Sequence, residues 1–97
     1  MPTYIALINF TDQGIRNIKD TTKRADALTG TADSLGITIK DIYWTSGRHD
    51  GLLIFDASDD ESSSAFMLTL GSGGSVKTEC LRAFNRSEME TILSRMP

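Results

Sequence analysis

A chain of 97 residues, 39% hydrophobic and 24% charged, has the make-up of one ordinary globular domain spanning residues 1–97 and excludes long disordered or low-complexity stretches. A formal charge of −3 with scattered basic residues gives no footprint for nucleic acid or an anionic membrane surface. One cysteine excludes an internal disulfide and a cysteine-rich zinc site, and no apolar run reaches the ~20 residues of a membrane span.

The opening MPTYIALINF has neither the basic start nor the cleavage site of a signal peptide, so a cytoplasmic location is expected. Residues 4–10 predict a strand with Tyr4, Ala6, Ile8 and Phe10 on one side and Ile5, Leu7 and Asn9 on the other. Both sides are apolar, so both are expected to be covered. Residues 11–36 predict one long helix. Thr11 caps it, an apolar stripe runs from Ile15 and Ile18 through Ala25 and Leu28 to Leu35, and Gly36 supplies a left-handed stop.

A second strand, residues 37–45, ends in Tyr43 and Trp44. Residues 46–50, SGRHD, form the turn, with Gly47 at a positive φ and Asp50 bonding local backbone. Residues 51–57, GLLIFDA, are the third strand, close enough to the second for an antiparallel hairpin. Ser58 and Glu61 have capping-box spacing, and the helix they open runs to about Leu70, burying Ala65, Phe66 and Leu68 or Thr69. GSGGS is a flexible loop. Residues 76–84 are the fourth strand. Ser87 and Glu90 repeat the capping-box spacing before a short amphipathic tail helix carrying Met89, Ile92, Leu93 and Met96.

The order β-α-β-β-α-β predicts an α+β, ferredoxin-like split βαβ fold: a four-stranded antiparallel sheet, two helices on one face and a short C-terminal helix. In a monomer the other sheet face would be polar, yet YIALI and LLIF leave no polar face. A second subunit packed there, as in a dimeric α+β barrel, resolves the conflict. The expected partner is therefore another copy, in a homodimer or higher homo-oligomer.

At FTDQGI, GRHDGLLIFDASDDE and VKTECLRAF the chain resembles the GYD domain, a family of small bacterial proteins. The likeness runs from Tyr4 to about Leu93 and implies the dimeric α+β barrel, with no particular activity attached. The family's tyrosine in the turn corresponds to His49, within Gly47-Arg48-His49-Asp50, and its proline before the Asp-Asp pair to Ser58. A phenol and an imidazole share a flat ring and a hydrogen-bonding edge but little acid–base chemistry. The exchange favours packing or binding at this position over strict catalysis.

The candidate ligand-binding residues are His49, Asn9, Tyr43 and Arg82. His49, the only histidine, suits general-base work but sits in a turn. Its parity matches Leu53 and Phe55, so its ring is expected to lean toward an apolar layer and away from Asp50. Asn9 interrupts an apolar face and either meets a ligand or bonds the helix start. Tyr43 and Trp44 line either a cavity or a core or interface. Arg82 pairs across strands or holds an anion. Cys80 reads as a buried, inert thiol. No metal-ligand spacing and no cofactor motif occurs. The reading that follows is a small binding or accessory module, with a small apolar or aromatic ligand as a further partner. The alternative is a cofactor-independent enzyme of oxygenase, isomerase or dehydratase type, with its pocket between sheet and helices.

Overall fold

Four strands and four helices carry the chain, and the computed structural model describes residues 1–97. In order they are β1 (Thr3–Phe10), α1 (Asp12–Arg16), a 3-10 turn (Ile18–Asp20), α2 (Thr21–Ser34), β2 (Thr38–Trp44), β3 (Gly51–Asp56), α3 (Asp60–Ser72), β4 (Val76–Ala83) and α4 (Arg86–Ser94). The sheet order is β2-β3-β1-β4 with every neighbour antiparallel, which is the ferredoxin-like arrangement expected.

The strand registers sort the side chains into two faces. Tyr4 stands opposite Phe55, and Ala6 opposite Leu53. All four are buried, and they meet Ala32, Ile37, Ala57 and Phe66 under the helices. Phe55 stacks on Tyr4 at 5.5 Å between ring centroids and takes Phe66 edge-on at 5.1 Å. The other face carries Ile5, Leu7, Leu52 and Ile54, which pair as Ile5–Ile54 and Leu7–Leu52 and are half-buried. Leu81 continues this patch on β4, opposite Ile5, and Tyr43 on β2, opposite Leu52. No helix of the chain is long and apolar enough to cross a membrane.

The first helical segment departs from the single long helix expected. Thr11 does cap α1, accepting from the Gly14 N–H at 3.2 Å, but α1 ends at Asn17 (φ −109°, ψ 30°). The Asn17 amide nitrogen donates back to the Gln13 carbonyl, and the Asn17 carbonyl accepts from Arg24 Nη1 at 2.8 Å. The helical ladder is broken there, and Ile15 and Ile18 stand exposed instead of joining the stripe. Gly14 explains the separate direction of α1. It lies so close to β4 that a Cβ would sit 2.1 Å from the Ser75 carbonyl oxygen. α2 ends as expected at Gly36 (φ +70°). Gly36 N–H donates to Asp33 and Ile37 N–H to Ala32, both to carbonyls, which is a Schellman closure.

Both expected capping boxes are displaced. Asp59, not Ser58, caps α3, accepting from the Ser62 N–H at 2.8 Å. The strand-like path continues through Ala57, whose N–H reaches the Pro2 carbonyl, so the chain leaves the sheet one residue later and Glu61 falls too early to close a box. A carboxylate at the positive helix end is also the stronger acceptor. At α4 the box is Asn85/Glu88, reciprocal at 2.8 and 3.0 Å, rather than Ser87/Glu90. Within α3 the buried side chains are Ser63 and Phe66, with Met67 and Leu70 packed beside them, while Ala65, Leu68 and Thr69 are exposed.

α4 leans on no other element through more than marginal contact. The Arg82–Glu88 ion pair at 3.2 Å anchors its start, and Met89, Ile92, Leu93 and Met96 are 36–64% exposed. The molecule measures 51 × 31 × 18 Å, a slab about one sheet and one helix layer thick.

Candidate functional site

Between the helix-covered face of the sheet and α2 lies a cleft of about 290 Å³. Ile8, Ile42, Leu53, Leu28, Leu70 and Val76 form its apolar walls, one or more from each strand and from both long helices. β2 ends at Trp44, whose Nε1–H donates to Thr21 Oγ1 at 3.0 Å. That bond ties the end of β2 to the first residue of α2 and fixes the indole as part of the wall. Arg24, one turn further along α2, and Asp50, just before β3, are the charged groups lining the cleft.

Asp50 extends the pairing of β1 with β3 beyond its last residue pair, Ile8–Gly51. Its Oδ2 accepts from the Phe10 N–H at 2.8 Å, and its own N–H donates to the Ile8 carbonyl at 2.8 Å. Its carbonyl accepts from the Thr45 N–H at 3.0 Å. The local turn expected for this aspartate is therefore a junction between three strands.

His49 lies elsewhere. Its Nδ1 is 2.9 Å from Asn9 Oδ1, and the Asn9 amide nitrogen donates to the Arg48 carbonyl at 2.9 Å. With the amide nitrogen used in that way, Asn9 Oδ1 is the acceptor and His49 Nδ1 carries the proton. Asn9 shares its sheet face with Ile5 and Leu7, so His49 joins the uncovered face and not the Leu53/Phe55 layer. The expected parity fails because regular strand structure begins only at Gly51. Neither His49 nor Asn9 lines the cleft.

Arg82 is also outside the cleft. It pairs with Glu88, donates to the Thr3 and Ala83 carbonyls, and lies 4.5 Å from the Phe84 ring centroid and 5.8 Å from that of Tyr4. It fastens the root of α4. Tyr43 alone of the four expected ligand residues reaches the cleft, from its place on β2 between Ile42 and Trp44, although its strand position opposite Leu52 puts it on the uncovered face. Cys80, expected to be buried, is exposed on the edge strand β4, 3.7 Å from Ser63 Oγ.

Beneath the other end of the sheet, Tyr4 donates its hydroxyl to Asp60 Oδ1 at 2.5 Å. That bond, followed by burial and by the carboxylate's charge, pushes the phenol up to about 12. Two carboxylates are held below their ordinary range by backbone N–H donors, Asp59 by Ser62 and Glu88 by Asn85. No group of three or more His, Cys, Asp and Glu side chains is gathered in a metal-binding arrangement.

The sequence reading missed Arg24. Its signal was spacing: Arg24, Leu28 and Thr31 recur at four and three, so Arg24 shares the inward side of α2.

A 31% identity over 84 residues, covering 86% of this chain and 88% of the other, links it to the "Glutamine synthetase and cystathionine beta-lyase binding protein" of Thermus thermophilus. Among solved structures, an ACT domain protein from Streptococcus pneumoniae shares the fold at a TM-score of 0.52 and 17% identity, over 100% of this chain and 98% of that one. The GYD domain model matches residues 4–93, and the chain belongs to the GYD domain family.

Proposed function

We propose that the protein is a homo-oligomeric accessory module that acts by binding other proteins, with metabolic enzymes as its partners. The observation that carries self-association is the uncovered sheet face. Ile5, Leu7, Leu52, Ile54 and Leu81 make a continuous apolar surface in the middle of the sheet, with charged Asp41, Lys77 and Glu79 toward its edges. A second copy packed there would form the dimeric α+β barrel and bury the roughly 1,000 Å² or more that a stable interface needs. The exposed apolar side of α4 adds to the surface available for partners. The enzyme partners are suggested by the Thermus thermophilus relative, which is named for binding two enzymes.

Binding is preferred over turnover on the chemistry of the cleft. Its charged groups are a guanidinium and a carboxylate committed to a backbone N–H, and the histidine lies on the other side of the sheet. The test is co-migration in analytical ultracentrifugation. The purified protein is mixed with the same organism's glutamine synthetase and, separately, its cystathionine β-lyase. A stoichiometric complex with at least one enzyme is expected, and its absence from both at micromolar concentration overturns the choice of partner.

A further inference from the structure

Arg24 contributes a charge to the cleft that the fold itself does not answer. Its Nη1 donates to the Asn17 carbonyl, but its Nη2 is sealed from solvent with no hydrogen-bond partner. No other buried side-chain nitrogen or oxygen in the chain is left this way. Arg24 also joins neither of the ion pairs, which link Lys40 to Asp56 and Arg82 to Glu88. Buried polar groups are almost always paired, and an exception calls for an acceptor from outside the chain. The surroundings define the rest of that acceptor. The walls are aliphatic, with the pinned Trp44 indole among them.

We propose that the cleft binds a small monocarboxylate with an apolar body. The carboxylate sits on the Arg24 guanidinium, and the body lies against Trp44, Leu28, Ile42 and Leu70. The guanidinium fork matches two carboxylate oxygens in one plane, after a side-chain rotation that leaves the backbone in place. Charge selects a carboxylate over a phosphate ester. Asp50 already brings one negative charge to a cleft with one cation, so a monoanion is tolerated better than a dianion. The volume of about 290 Å³ lies at the small end for ligand clefts, which suits one ring or a short aliphatic chain. The site is independent of the protein-binding reading and does not need an enzyme partner.

Trp44 is the only tryptophan, so its fluorescence reports the cleft in the intact chain. Benzoate and hexanoate are titrated against benzamide and hexanamide, and against phenyl phosphate and inorganic phosphate. Saturable changes are expected with a carboxylate, and binding at least about tenfold weaker with its amide, or about 1.4 kcal/mol. Arg24→Met is expected to lose that preference, and its Tm without ligand reports separately the loss of the bond to the Asn17 carbonyl. Amides binding as well as carboxylates, phosphates binding better, or no saturation by either carboxylate up to about 10 mM would each overturn the proposal. The comparison of carboxylate with amide uses the wild-type chain, so it stands even if Arg24→Met fails to fold. Wild-type affinity in a folded Arg24→Met variant would also overturn it.

Discussion

Asp50 holds β1, β2 and β3 together through one side-chain and two backbone hydrogen bonds. In the sequence it precedes a glycine and reads as a local turn aspartate, because nothing in SGRHDG points to Phe10, forty positions away. Asp50→Ala leaves the Phe10 N–H without its acceptor and should cost about 1–3 kcal/mol in urea denaturation. Asp50→Asn, which keeps an oxygen there, should cost less than half as much. Tyr4 was legible as a core residue, but its bond to Asp60 was not, since strand parity says nothing of what a side-chain tip meets. A phenol raised from 10 to about 12 in the folded state binds its proton more tightly there than in the unfolded chain. Its contribution to stability is therefore complete below pH 10 and lost as pH rises through about 12. Tm measured between pH 9 and 12 should fall less steeply in Tyr4→Phe than in the wild type. Equal slopes would remove Tyr4 from the account.

Among the elements, the strands were the most legible because a period of two with one covered face leaves little freedom. The helix starts were less so. Ser58/Glu61 and Ser87/Glu90 have the spacing of a capping box, as Asn85/Glu88 also does, and spacing alone cannot choose among overlapping candidates. The break between α1 and α2 was hidden for a different reason: it depends on how closely α1 approaches Ser75 and on the capture of the Asn17 carbonyl by Arg24. Two glycines separate these effects. At Gly30, where an added Cβ meets nothing within 4 Å, alanine should stabilise by about 0.5–1 kcal/mol. At Gly14, where it meets the Ser75 carbonyl, the same change should destabilise by about 1–3 kcal/mol despite alanine's better helix propensity. Thermal melts of both variants check the pair, and stabilisation by Gly14→Ala would refute the close approach.

For the whole molecule, the ferredoxin-like topology could be read from element order alone, while the cleft could not. The cleft depends on where Arg24 and Trp44 come to rest against Thr21 and Asn17, and the expected ligand residues His49, Asn9 and Arg82 went to the uncovered face and the root of α4. The apolar uncovered face was visible in YIALI and LLIF, and it carries the central claim that the protein works as a homo-oligomer. Light scattering at micromolar concentration, on the wild type and on Ile54→Lys, tests that claim most directly. Ile54 sits in the middle of the patch opposite Ile5, so a lysine there places a charge in the interface while its stem still covers the sheet. The account predicts a wild-type mass of at least about twice 10.6 kDa and a folded Ile54→Lys monomer of 10.6 kDa. A wild-type particle of 10.6 kDa, or an Ile54→Lys variant that keeps the wild-type mass, would contradict it.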